Sequence, residues 1–414
     1  MNIALACLLL VLAQHGFEAL LLLIQRHHQA RLSDAMPAHL QGLLSPQDYA
    51  KALSYAEDKG QLALASQGMS LLGLLALLSL AWDGHLALWL ALANSHGLAG
   101  LALFVLLPIL ALSLLEAPLD YLRQFRVEQR HGFNKSRPSL WLADKLKGLA
   151  LATTLGFLVL WALLALAQAL GGFWWLWGFG FLALVQVFLM LAWPRFIMPL
   201  FNRFSPLPEG PLKQRLLALA ARTGFGVSGL YVMDGSKRSS HANAFFTGFG
   251  RFRRIVLFDT LVEQLAPEQT AAVLAHEIGH SKRGHTLKGL GLGLASMLGL
   301  TYAAHWLSLR CAWPGSGQAG LAWALLALAA LGPSLLFWLS PLSAALSRRW
   351  EYQADAFARQ ACGSAAPLCL ALASLHKNSL GNPVPHPLLV AFHYSHPPVP
   401  ERLRALRSAD QAKV

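Results

Sequence analysis

The chain of 414 residues is 55% hydrophobic and only 13% charged, with a mean hydropathy of +0.46, whereas soluble domains carry about a quarter charged residues. This composition excludes an ordinary soluble globular protein and points to a polytopic membrane protein. The net charge of +13 does not indicate a nucleic-acid partner, because the Lys and Arg residues lie mostly between apolar runs and form no long basic arm.

Residues 2–24 are apolar for nearly a bilayer thickness and show no small-residue cleavage site, so they read as a retained first span. Further runs long enough to span occupy 62–82, 97–117, 148–170, 173–194, 287–308 and 320–341, seven in all. The loops from Arg26 to Lys59 and from Arg123 to Lys147 are basic. The connections from Asp83 to His96 and at Gly171 and Gly172 contain neither Lys nor Arg. Basic loops face the cytoplasm, which places the N-terminus outside and both 195–286 and 342–414 inside; only Arg310, in a short outer loop, dissents. The expected organisation is therefore spans one to five in 1–194, a first piece of a catalytic domain in 195–286, spans six and seven in 287–341, and its second piece in 342–414. Two pieces on one face of the membrane can fold together as an α+β domain.

The first piece opens with a polar, helix-like run, GPLKQRLLALAARTG. It continues with strand-like stretches at 229–234, 243–249 and 253–259, the last two joined as a hairpin by a Gly-containing turn. Pro267 and Glu268 then suit the first turn of a helix that carries AAVLAHEIGHSKRGH toward span six. The four cysteines, Cys7, Cys311, Cys362 and Cys369, have no CxxC spacing, so neither a cysteine metal site nor a disulfide framework is expected.

HEIGH places His276 and His280 at i and i+4, on one helix face, where both imidazoles can reach one tetrahedral zinc. Glu277, one step round, can act as general base. A catalytic zinc takes a third protein ligand. His285 is a poor choice: five residues past His280 on a continuous helix, it points about 140° away, and the metzincin spacing is broken by Arg283 and Thr286. It reads as a surface residue or one that supports a ligand. The better candidate lies in SRRWEYQADAFARQ, at the same membrane face as HEIGH, where Glu351 and Asp355 stand at i and i+4. One carboxylate can ligate the metal and the other can orient a ligand histidine.

With these residues in view, the chain resembles the type I CAAX prenyl proteases, integral-membrane zinc endopeptidases with seven spanning helices. The matching stretches are RVEQRHGFNKSRPSLWLADKLKG at 126–148, PLFNRFSPLPEGPL at 199–212, VMDGSKRSSHANAFFTGFGRFRRIVLFDTL at 232–261, HEIGH at 276–280, SRRWEYQADAFA at 347–358 and HYSHPPVPERLRAL at 393–406. The resemblance implies a gluzincin-type site with His276, His280 and Glu351 on one zinc ion and Glu277 as base. It further implies that Asn243 sits by an edge strand that holds the substrate backbone, that His396 donates to the developing oxyanion, and that Arg402 pairs with Asp355 or assists the site. The fold it implies is mainly α, seven transmembrane helices enclosing a water-filled chamber. Gln14, His15 and Glu18 interrupt the first span in keeping with a chamber or with pairing to a neighbouring helix.

The C-terminus, SADQAKV, carries no endoplasmic-reticulum retrieval signal, and the loops are compact, so a bacterial inner-membrane member is expected. The expected activity is zinc-dependent hydrolysis of peptide bonds in membrane-associated or lipidated peptides and proteins. Membrane lipid is the surrounding partner, and no nucleic acid and no obligate protein partner are expected. The rival readings are a heat-shock membrane zinc protease, which is shorter with fewer spans, and a non-catalytic transporter or scaffold.

Overall fold

A computed structural model of the chain describes residues 3–248, 253–311, 313–315 and 317–411. The long apolar runs become helices α1 (Ile3–Arg31), α2 (Pro46–Trp82), α4 (Gly97–Leu115), α6 (Pro138–Leu170), α7 (Trp174–Ala192), α11 (His285–Arg310) and α12 (Gln318–Phe337). Between them lie two shorter ones, α3 (His85–Ser95) and α5 (Ala117–Leu122). The stretch Pro138–Leu200 is helical almost throughout but turns at Gly171, whose φ of +55° is open to glycine, and α6 then packs against α7 as a hairpin. All seven expected spans are thus present. Many outward Leu, Phe and Trp side chains, Leu72, Leu184 and Phe188 among them, stay exposed, as suits helices solvated by lipid.

The connection from Asp83 to His96 contains α3, which buries Leu86, Leu90 and Ala93 against α4. With Phe104 on α4, Leu164 on α6 and Trp323 on α12 they build one apolar core between the spans. The sequence HLALWLALANS is apolar enough to be buried but too short to cross a bilayer.

The remaining elements form a compact unit at one end of the spans. In chain order these are β1 (Phe204–Pro206), α8 (Pro211–Arg222), β2 (Gly229–Met233), β3 (Ala244–Thr247), β4 (Arg254–Phe258), α9 (Asp259–Gln264) and α10 (Pro267–Lys282). After the α11–α12 hairpin come α13 (Ser340–Cys362), α14 (Ala366–Asn378), α15 (Pro387–His393) and α16 (Val399–Gln411). The sheet runs β1-β2-β4-β3. β3 and β4 pair antiparallel, as the hairpin reading expected, with Ala244 opposite Leu257; the turn between them lies mostly outside the described residues. The parallel pairing of β2 with β4, Leu230 opposite Ile255, was not visible in the strand pattern. β3 is left as an edge. Leu216, Leu230, Ile255, Leu257, Leu274 and Ile278 fill the core between sheet and helices.

Helices α10 and α13 lie on opposite sides of the α11–α12 hairpin in sequence yet pack directly on one another. The contact is close because Gly279, inside HEIGH, has no side chain: a Cβ there would stand 3.0 Å from the Cα of Ala354 and 3.1 Å from its carbonyl oxygen.

Candidate metal centre

Helix α10 starts as its sequence suggests, with Pro267 in the first turn and Gln269 Oε1 accepting the Ala266 N–H at 3.0 Å. Its buried residues run from Thr270 to Gly279 and include His276. From α13, Glu351 reaches the same point and is only 3% exposed. His276 Nε2 lies 3.2 Å from His280 Nε2 and 3.4 Å from Glu351 Oε2, and His280 Nε2 lies 3.1 Å from Glu351 Oε1. Three donors about 2.0 to 2.1 Å from one tetrahedral zinc would stand about 3.3 to 3.4 Å apart. These residues therefore fit a single zinc ion. Among the described residues this is the one cluster of His, Cys, Asp and Glu whose ligand atoms converge in this way.

The surroundings orient the donors. Asp355 Oδ1 lies 2.8 Å from His276 Nδ1, which turns Nε2 toward Glu351. Arg402, from α16, donates through Nε and Nη2 to both oxygens of Asp355, and its Nη1 stands 3.4 Å from Glu351 Oε2. Burial opposes a charge on His276, but hydrogen bonds to Asp355 and Glu351 outweigh it and lift its pKa to about 9. Burial would also raise the pKa of Glu351, yet hydrogen bonds with His276 and His280 hold it well below the usual carboxylate range. The two shifts describe mutual pairing: the carboxylates favour a charged His276, and the histidines and Arg402 favour the Glu351 carboxylate. Burial raises the pKa of Glu277 against the pull of His276 and His280, the direction a general base near neutral pH requires.

His396, between α15 and α16, places Nε2 3.4 Å from Glu351 Oε1, and Ser395 Oγ lies 2.9 Å from its Nδ1. Arg348 supports this segment by donating to the carbonyls of Val390 and Tyr394 at 2.8 and 2.9 Å. Asn243 lies just before edge strand β3; its Oδ1 accepts the Ala244 N–H, and its carbonyl accepts the Phe258 N–H. The structure thus gathers His276, His280, Glu351, Asp355, Arg402 and His396 in one cluster, with Glu277 on the same helix and Asn243 just before a strand that packs against α10.

The reading of His285 needs correction on one point. It does not point away from the metal face but is buried, 3% exposed, with Nδ1 3.0 Å from His280 Nδ1 and Nε2 2.9 Å from Gln353 Oε1. Its ring stacks on Trp350. A continuous helix would turn His285 about 140° from His280, whereas α10 ends at Lys282 and Gly284, at φ +69°, turns the chain back. The glycine was the available signal, because it commonly follows a helix end. His285 faces the far nitrogen of His280 and stands outside the three groups that converge, His276, His280 and Glu351.

Comparison with known proteins agrees in both halves. Residues 25–203 match the family described as CAAX prenyl protease N-terminal, five membrane helices, and residues 206–410 match peptidase family M48. A CAAX prenyl protease 1 homolog of Oryza sativa is 32% identical over 400 residues, 94% of each chain. CAAX prenyl protease 1 of Saccharomyces cerevisiae is 35% identical over 321 residues, 73% of this chain and 70% of its own. The crystal structure of S. mikatae Ste24p superposes with a TM-score of 0.89 at 31% identity, over 98% of this chain and 99% of that one.

Proposed function

The chain belongs to the CAAX prenyl protease family, membrane-embedded zinc metalloproteases of peptidase family M48, and from that premise we propose a role for each residue of the centre. It is an integral membrane protein and a metalloendopeptidase acting on protein substrates. The relatives compared are eukaryotic, so the expectation of a bacterial member is not borne out. We take prenylated CAAX sequences as one substrate class.

In this proposal His276, His280 and Glu351 hold one zinc ion. Zinc supplies Lewis acidity, lowering the pKa of water and polarising a carbonyl. Glu277 takes a proton from the attacking water and delivers it to the leaving amine. His396 donates to the oxygen on which negative charge develops. Asp355 orients His276, and Arg402 keeps Asp355 in place. Asn243 and the free edge of β3 align an extended peptide by strand addition. We further propose that 195–286 and 342–414 form one catalytic unit interrupted by the 287–341 hairpin, on the cytoplasmic side with the basic loops, the N-terminus lying opposite. The packing of α10 on α13 supports that division.

The single observation that carries this reading is the convergence of His276, His280 and Glu351 from α10 and α13, with the two imidazole nitrogens 3.2 Å apart and each within 3.4 Å of a Glu351 oxygen. The test is metal analysis beside peptide cleavage. Purified protein is expected to hold one zinc and cleave, while Glu277→Gln keeps the zinc and loses cleavage. Equal activity in that variant would remove Glu277 from the mechanism.

A further inference from the structure

A second polar site lies inside the spans. Glu18, on α1, is only 7% exposed; its Oε1 is 3.2 Å from His393 Nε2, and its Oε2 has no hydrogen-bond partner. It lines a cavity of about 490 Å³ together with Gln14, His15, Gln67, Ser334 and His393. His15 Nδ1 lies 2.8 Å from Gln67 Oε1, and Ser334 Oγ donates to Gln14 Oε1 at 3.3 Å. No Lys or Arg is among the described residues that line it. Nearby, Glu116 accepts from the hydroxyls of Ser66 and Ser70 at 2.6 Å each.

An unpaired carboxylate oxygen at membrane depth is costly, and such groups mark sites that something else completes. The groups here are acceptors or groups able to act as acceptors, with no fixed positive charge among them. A bare metal ion fits poorly, since among the described residues ligand atoms converge only at His276, His280 and Glu351. A longer cation, able to reach from the cavity to Glu18, suits the shape better.

The cavity is also placed for a peptide. His393 ends α15, and the chain runs from it through Tyr394 and Ser395 to His396, which touches Glu351. Three Cα steps of 3.8 Å limit the distance from His393 to His396 to about 11 Å, the length of about three extended peptide residues. We propose that this cavity is a subsite for the ammonium or guanidinium group of a basic substrate side chain, with Glu18 as its counter-ion. The inference rests on the endopeptidase reading above and adds a substrate preference to it. The basic residue stands about three or four positions from the scissile bond.

The experiment uses the full-length zinc enzyme and peptides that carry one Lys, or norleucine in its place, at each position within about five residues of the scissile bond. At one position Lys is expected to raise kcat/KM about tenfold or more over norleucine, mainly through KM, as befits a hydrogen bond to a charged group. Glu18→Gln is expected to bring that ratio to within about twofold of unity. Binding of the same labelled peptides to the Glu277→Gln protein reads the preference without catalysis, and there too Lys is expected to bind more tightly. Equal handling of Lys and norleucine at every position by the wild-type enzyme would overturn the proposal, as would an unchanged ratio in Glu18→Gln. Should Glu18→Gln fail to fold, the wild-type ratio and the binding measurement decide. Loss of the endopeptidase reading itself would appear differently, as no cleavage of any peptide.

Discussion

Arg402 closes on Asp355 as a two-pronged pair, Nε to Oδ2 at 2.8 Å and Nη2 to Oδ1 at 2.6 Å, and that same Oδ1 faces His276 Nδ1 at 2.8 Å. One carboxylate from α13 thus ties α16 to the imidazole that α10 presents. Both partners are buried, Arg402 6% and Asp355 2% exposed, so truncating either leaves a charge without its counterpart. Asp355→Ala is expected to lower stability by about 3 to 5 kcal/mol and zinc affinity by about 10- to 100-fold. Thermal unfolding and chelator competition measure the two effects. Wild-type zinc retention in the variant would show that Asp355 does not orient His276.

The approach of α13 to HEIGH depends on Gly279. Its absent Cβ would meet backbone of Ala354 and the Cβ of Phe357, at 3.0 to 3.1 Å, and none of these atoms is the end of a flexible chain. Gly279→Ala must therefore move one helix, and with it Glu351 relative to the two histidines. The expected cost is about 1 to 3 kcal/mol of overpacking, together with reduced zinc content at limiting metal. An alanine variant with full zinc occupancy and unchanged melting would mean that the helices have room to spare.

His285 holds His280 from behind, so its loss should loosen the metal without removing a ligand. His285→Ala is expected to weaken zinc binding about 10- to 100-fold. Gln353→Leu, which frees only the far nitrogen of His285, is expected to give a smaller loss in the same direction. Chelator competition on both variants checks the order, and the reverse order would place the support elsewhere.

These residues mark what was legible in the chain. Apolar runs of bilayer length need no partner to be recognised, and all seven became helices. Spacing within one helix was equally readable, as His276 with His280 and Glu351 with Asp355. What depended on backbone turns or on meetings between distant elements was not. His285 was misjudged because a single left-handed glycine redirects the chain, and α3 gave no span signal because its apolar length falls short of a bilayer. Arg402 and His396 reach the centre from a helix and a loop with no periodic signal linking them to HEIGH, so the family resemblance, rather than spacing, pointed to them. The orphan oxygen of Glu18 was visible only as an ionisable residue in a span; its cavity needed the packing of α1, α2, α4, α12 and α15.

The pH response of the fold should carry the mark of His376. This side chain, on α14, is buried with Nε2 lacking a hydrogen-bond partner, and burial pushes its pKa down from 6.5 to about 4. Gly381 presses on the ring, since a Cβ there would lie 2.3 Å from Nδ1, which leaves little room for water. The folded state therefore resists a proton that the unfolded chain accepts below about pH 6.5. Stability from the neutral ring is complete above that pH and is lost as pH falls toward 4, by about 2 kcal/mol between pH 7.5 and 5. His376→Leu keeps the bulk and removes the titration. Its melting temperature is expected to fall less than that of the wild type between those two pH values, the difference being a few degrees. Because the metal-centre histidines titrate alike in both proteins, the difference between the two curves isolates His376, and parallel curves would show that the ring is solvated in the folded state.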